Sequence, residues 1–134
     1  MWGTPLHQMG ANLALRAIEN GNVGIGVINP TEKLSVKGKI RAQEIKVETT
    51  NWPDYVFDPS YNHSSLSELE NFIKENKHLP EIPSAKEVEE NGVSLGEMNA
   101  KLLKKIEELT LYVIELKKDS EKQQQDIDKL KNQK

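Results

Sequence analysis

Residues 95–116 have the sequence LGEMNAKLLKKIEELTLYVIEL, and their pattern is the strongest structural signal in this chain of 134 residues. Their apolar side chains recur at alternating steps of three and four residues, which is the heptad period of a coiled coil. With Leu95 as a d position, this spacing continues without a skip to the C-terminus. The d positions are Leu95, Leu102, Leu109, Leu116, Gln123 and Leu130, and the a positions are Asn99, Ile106, Val113, Ser120, Ile127 and Lys134.

This pattern predicts a C-terminal coiled coil and not a single helix docked on its own domain. A docked helix would bury only its first turns and leave Ile127 and Leu130 stranded among Lys, Gln and Asp residues. The number of strands in the coil stays open, because Ile and Val at a with Leu at d favour two. Met98 and Leu103 widen the apolar stripe, which favours three.

The segment before this helix carries helix-start signals. Three Ser–Glu pairs have the spacing of a capping box: Ser65 with Glu68, Ser84 with Glu87, and Ser94 with Glu97. They predict helices at about 66–75 and 85–90 as well as the long one. The aromatic stretch 52–57 is predicted to be a strand whose aromatic side chains form a small core for these helices.

Alternating apolar residues predict short strands in the N-terminal part. Val23 and Ile25 alternate with Gly24 and Gly26, and glycine within a strand marks the close approach of another backbone. Further apolar alternations follow in 34–36, 40–42 and 45–47. Strands this short do not form a stable sheet alone. We therefore expect Val23 and Ile25 to lie at contacts with other chains.

The composition excludes several classes of protein. With 36% hydrophobic and 5% aromatic residues, the chain is too poor in apolar side chains for a large core of its own. The absence of Cys excludes a disulfide scaffold, a thiolate nucleophile and a Cys-ligated metal. A net charge of −3 without a basic stripe argues against nucleic-acid binding. No stretch approaches the ~18 apolar residues of a membrane span, so we expect no membrane insertion.

No group of residues has the spacing of a catalytic or metal site. His7, His63 and His78 lack metal-ligand spacing to one another. Asp58, Ser60 and His63 lie close together, but clustering in one turn-rich segment is weak evidence for a catalytic triad. We expect no enzyme activity, no cofactor and no metal.

Two blocks of sequence resemble a known family. Residues 21–38, which include GNVGIG and NPTEKLSV, look like the shaft repeat of trimeric phage tail fibres and related bacterial surface proteins. The blocks WPDYVF at 52–57, HLPEIPS at 78–84 and LLKKIEEL at 102–109 are similar to the C-terminal region of bacterial tail-fibre-domain proteins. The resemblance covers about residues 20–118.

The resemblance implies an elongated α+β homotrimer. Residues 1–50 would form a shaft end of short interlocked β-strands, 51–93 a small helical clasp with the aromatic strand and two short helices, and 94–134 a parallel coiled coil. The C-terminal part also resembles the intramolecular chaperone of endosialidases and tail spikes, which trimerises first and in many members cuts itself off with a Ser–Lys pair. This chain is shorter and lacks that pair, since Ser60, Ser64 and Ser65 have no basic partner nearby in sequence. We expect no self-cleavage.

The expected function is structural: trimerisation and folding nucleation at the C-terminus of an extracellular fibre or surface protein, with copies of itself as partners. The chain is expected to be a piece of a longer exported protein of a cell surface or virion, in which preceding parts bind any surface or host ligand. The alternative is a dimeric coiled-coil adaptor that binds a protein partner through its acidic middle segment.

Overall fold

A computed structural model describes residues 8–9 and 12–133, so that His7 and Lys134 lie outside the described residues. The chain divides into two compact units, Met1–Ile45 and Lys46–Lys134. The first contains strands β1 (Gln8–Met9), β2 (Asn12–Leu13), β3 (Leu15–Ala17), β4 (Val23–Ile25) and β5 (Leu34–Val36). The second contains a 3-10 helix, η1 (Pro53–Phe57), and helices α1 (Leu66–Asn76), α2 (Ala85–Asn91) and α3 (Leu95–Lys131). The predicted α+β class and the long C-terminal helix are confirmed.

The first unit is built around a three-stranded sheet of order β3-β4-β5. Strands β3 and β4 pair antiparallel with Arg16 opposite Gly24, while β4 and β5 pair parallel with Gly24 opposite Ser35. Strands β1 and β2 form a separate antiparallel pair. Gly21, at a φ of 79°, makes the turn into β4, and its N–H donates to the carbonyl of Ile18 at 2.9 Å.

The parallel pair β4–β5 is joined by residues 26–33 alone, although parallel strands usually need a crossover of a dozen or more residues. Side-chain hydrogen bonds hold this short connection. The buried Asn22 donates from Nδ2 to the carbonyl of Pro30 at 3.2 Å, and Lys33 Nζ donates to the carbonyl of Asn20 at 3.0 Å. A Cβ on Gly24 would lie 2.4 Å from the carbonyl oxygen of Val27. The close approach predicted at this glycine therefore exists within the chain itself.

Residues 38–52 form no strand, and the predicted strands at 40–42 and 45–47 are therefore wrong for the single chain. None of these residues makes a backbone hydrogen bond to a neighbouring strand among the described residues. Their apolar side chains are open to solvent, with Ile40 64% and Ile45 56% exposed. Alternation alone does not make a strand when no other strand of the same chain lies beside it.

Helices α1 and α2 begin at complete capping boxes, as predicted: the Ser65 and Ser84 hydroxyls each accept from the backbone N–H three residues on. The third predicted box is wrong. Ser94 caps α3 without a side-chain hydrogen bond, and the carboxylate of Glu97 pairs with Lys101 at 2.8 Å, one turn further on. An i,i+4 ion pair on the helix surface competes here with the reciprocal cap.

The aromatic stretch forms η1 and not the predicted strand. Pro53 stands at the first helical position, where its fixed φ suits a helix start, and Trp52 before it is extended. The residues of η1 that pack inward are Pro53 and Val56, whereas Trp52 is 52% and Phe57 54% exposed. The prediction that the aromatics form the small core is therefore wrong. Val56, 1% exposed, fills that place against α3.

Candidate oligomerisation site

Helix α3 has two different faces. At about 100° per residue, Lys104 and Glu108 lie roughly 160° around the helix from Ile106, which is an a position. The face centred on Lys104 and Glu108 packs on the rest of the second unit, and we call it the docked face. The a and d positions run along the opposite side, and we call them the heptad stripe. The helix therefore packs on its own chain without using the heptad stripe.

Tyr112 anchors the docked face at its C-terminal end. It is 6% exposed, and its hydroxyl donates to the carbonyl of Ser64. The ring of His63 stacks on Tyr112 with 4.8 Å between the centroids, and its Nε2 lies 3.5 Å from Oε1 of Glu115. Burial raises the pKa of Tyr112 above its ordinary value, which keeps the phenol a hydrogen-bond donor. The segment that leads into α1 is thereby fixed to α3.

A partly buried polar cluster holds the loop between α1 and α2 against the same face. Glu81 adopts a φ of 67°, a left-handed backbone conformation that is strained for a residue other than Gly. Its carboxylate accepts from Lys104 Nζ at 2.7 Å and from Lys105 Nζ at 3.2 Å. Burial opposes ionisation of Glu81, but these two ammonium groups outweigh it and lower its pKa. The strained conformation is offset by charge-assisted hydrogen bonds.

Two tyrosines complete this cluster. The Tyr61 hydroxyl donates to Oε1 of Glu108, while Lys105 Nζ donates to the other oxygen of Glu108 at 2.9 Å. Burial, with the neighbouring Glu108 carboxylate, raises the pKa of Tyr61 to about 12. Lys104 Nζ lies over the rings of Tyr55 and Tyr61, 5.8 and 5.9 Å from their centroids. The arrangement joins η1, the loop after it and α3 by contacts that are stronger than isolated surface ion pairs.

The first turn of α3 is approached closely by the extended segment before η1. Gly96 is buried, and a Cβ there would lie 2.8 Å from Cγ1 of Val47 and 2.9 Å from Cγ2 of Thr49. Only a residue without a side chain fits this contact. The docked face thus extends to the N-terminal end of the helix.

The heptad stripe is exposed along the whole helix. The eleven predicted stripe positions on α3 that lie within the described residues are all exposed: Leu95, Asn99, Leu102, Ile106, Leu109, Val113, Leu116, Ser120, Gln123, Ile127 and Leu130. Ile106 and Leu109 are each 59% exposed and Leu130 is 64% exposed. Over 37 helical residues the stripe is about 55 Å long, at 1.5 Å per residue. Every stripe position from Leu102 to Leu116 is apolar, whereas Ser120 and Gln123 interrupt the stripe before Ile127 and Leu130. A row of exposed apolar side chains of this length is uncommon on a monomer.

The predicted contact residues of the first unit are less uniform in their solvent exposure. Val23 is half-buried and Ile25 is 41% exposed, on either side of the buried Gly24 in β4. Leu15 and Leu34 on the neighbouring strands are 45% and 56% exposed. Every strand of this sheet therefore presents apolar side chains that the described part of the chain does not cover.

The docked face is what the sequence reasoning missed. Tyr61, Glu81, His63 and Tyr112 reach partners tens of residues away in the sequence, and no spacing rule connects them. One signal pointed towards it. Leu111 is apolar but lies outside the heptad stripe, and it is half-buried on the docked face.

The Ser60–His63 pair does not form a catalytic arrangement. The Ser60 hydroxyl donates to Oδ1 of Asp58 at 2.6 Å, while His63 stacks on Tyr112 and faces Glu115. The hydroxyl and backbone N–H of Ser60 hold the pKa of Asp58 below its ordinary value. These contacts form a local turn, and His63 is not among the hydrogen-bond partners of the Ser60 hydroxyl in the described residues.

Within residues 8–9 and 12–133, no cluster of three or more His, Asp or Glu side chains has the geometry to hold a metal ion. No helix in the described part of the chain combines the length and apolar character of a membrane span. Comparison of the chain with family models, with curated proteins and with solved structures found no match.

Proposed function

We propose that the chain is a structural module that associates as a homotrimer through the heptad stripe and aligns the strands that precede it. The observation that carries the proposal is that the two faces of α3 make different contacts. The docked face is occupied by the chain's own clasp, while the heptad stripe on the opposite side is exposed from Leu95 to Leu130. A helix whose only role was to cover its own domain would bury its most apolar side.

Burial of the heptad stripe supplies enough free energy for association. Its apolar members on α3 are between 45% and 64% exposed: Leu95, Leu102, Ile106, Leu109, Val113, Leu116, Ile127 and Leu130. Burying the exposed half of such a side chain contributes about 1 kcal/mol, so the stripe contributes roughly 8 kcal/mol per chain. Summed over three chains this is roughly 24 kcal/mol, which lies above the middle of the roughly 8–30 kcal/mol that two association steps cost at about 4–15 kcal/mol each.

The first unit explains why alignment is needed. The strands β3, β4 and β5 of its sheet are three residues long and leave Leu15, Ile25 and Leu34 exposed. These side chains need other chains to bury them. Short strands with small side chains also slip in register easily. A coil that forms first would hold these strands at an effective concentration in the millimolar range, roughly that of groups joined by a short flexible linker.

Three chains fit the helix surface better than two. Met98 and Leu103 flank the heptad stripe and remain half-exposed after the clasp has docked. A stripe widened by such positions suits a core shared by three helices. The family resemblance of the flanking segments favours the same number, and it favours a structural role in an extracellular fibre or surface protein.

The test is the molar mass in solution, measured by light scattering coupled to size exclusion over a hundredfold range of concentration. The expected result is three chains. Leu109→Asp, which places a charge in the heptad stripe, should give a monomer or an aggregate. Gln125→Asp, an exposed position off the stripe on the same helix, should leave the mass unchanged. A wild-type monomer at every concentration would remove the proposal, and two chains would favour the adaptor.

A further inference from the structure

One buried carboxylate has no part in the cluster that holds the docked face. Glu107 lies on the flank of α3 that packs against η1, and it is only 8% exposed. Its Oε2 is fully covered and has no hydrogen-bond donor among the described residues. Buried carboxylates are ordinarily paired or hydrogen-bonded, so this atom calls for an explanation.

The charged groups around Glu107 do not supply a counter-charge. The first turn of η1 contributes Asp54, a second negative charge whose field acts on Glu107. On α3 itself, Lys104 is bound to Glu81, and Lys105 is bound to Glu81 and to Glu108. An ionised Glu107 would therefore be a buried, unpaired charge that faces another charge of the same sign.

We propose that the contact between η1 and α3 takes up a proton at Glu107, so that this junction tightens on acidification and loosens as the pH rises. A protonated carboxyl group removes both the buried charge and its repulsion from Asp54. Burial, and then the negative charge of Asp54, raise the pKa of Glu107 above its ordinary value of 4.5. Both residues belong to one chain and lie away from the heptad stripe, so the inference does not depend on how many chains associate.

The direction of the pH effect follows from proton linkage. A carboxyl whose pKa is higher in the folded state contributes stability that is fully present below the unfolded value of 4.5. That contribution is lost as the pH rises through the higher folded value. The junction affected holds residues 53–57 on α3, so the clasp is the part of the molecule that responds.

The test compares Glu107→Gln with Glu121→Gln by denaturant unfolding at fixed protein concentration from pH 4.5 to pH 8. Glu121 stands two heptads further along the same side of α3, and its side chain is 60% exposed, so it is a matched control. Glu107→Gln keeps the shape and removes the ionisation. It should be more stable than the wild type at pH 8, and this advantage should shrink towards pH 4.5. Glu121→Gln should follow the wild type.

A second measurement reads the proton directly. In carboxyl carbon-13 NMR spectra, Glu107 should titrate above the ordinary value of 4.5, and Asp54→Asn should move its titration back towards that value. The proposal is overturned if Glu107→Gln is as unstable at pH 8 as Glu107→Ala. That result would mean that the ionised carboxylate of Glu107 is stabilised by a hydrogen-bond donor, which the amide of Gln cannot replace. It is equally overturned if millimolar calcium stabilises the wild type but not Glu107→Gln, since a cation would replace the proton.

Discussion

Leu109→Ala tests whether the heptad stripe is the surface through which the chains associate. Leu109 is 59% exposed in the single chain, so the substitution removes little that the chain buries by itself. Burying a whole Leu side chain contributes about 1.5–3 kcal/mol, and the exposed part of Leu109 accounts for about 1–2 kcal/mol per chain. In a trimer the loss is about 3–6 kcal/mol, which raises the dissociation constant by roughly two to four orders of magnitude.

The assay is sedimentation velocity over a dilution series, read together with the helical signal in far-ultraviolet circular dichroism. Ile114→Ala is the matched control, because Ile114 is apolar and 45% exposed but lies off the heptad stripe. Leu109→Ala should dissociate at concentrations where Ile114→Ala remains associated.

Two results would refute the reasoning. Equal effects of both substitutions would mean that the heptad stripe has no special role. A loss of stability in a Leu109→Ala chain that is monomeric throughout would mean that Leu109 is buried by its own chain.

Further predictions concern the contacts that build the clasp. Ser65→Ala should destabilise the protein by about 1 kcal/mol in denaturant unfolding, whereas Ser94→Ala should be nearly neutral because Ser94 makes no side-chain cap bond. Gly96→Val should lower the midpoint of thermal unfolding by several degrees, since its side chain would meet Val47 and Thr49; an unchanged midpoint would contradict the close approach. Glu81→Gln should flatten the loss of stability that we expect below about pH 4.5, because the lowered pKa of Glu81 contributes stability that disappears as the pH falls through it. If the Glu81→Gln protein loses as much stability at low pH as the wild type, another group is responsible for that loss.

Local signals in the sequence were sufficient to predict those features that depend on residues close together in the chain. The capping boxes at Ser65 and Ser84 placed the starts of α1 and α2, because each joins groups only three residues apart. The heptad spacing placed α3 and identified its exposed side. The glycine at position 24 predicted a close backbone contact, although its partner proved to be Val27 of the same turn.

Non-local contacts could not be predicted in this way. Whether Glu97 bonds back to Ser94 or forward to Lys101 is a choice between two interactions of similar strength on one helix. The burial of Val56 in place of Trp52 depends on the rotation of η1 against α3, which no periodicity in five residues specifies. The unpaired carboxylate of Glu107 is visible only once these elements have packed.

The C-terminal end of α3 lies beyond the last residue that the clasp holds. From Leu116 onwards every described residue of the chain is exposed, and none of the clasp contacts extends past Glu115. A helix of this length without tertiary support is marginal in water. In a chain without a partner, this tail is therefore an accessible substrate for a protease, and its removal would also remove Ile127 and Leu130. Susceptibility to limited digestion would then distinguish unassembled chains from assembled ones.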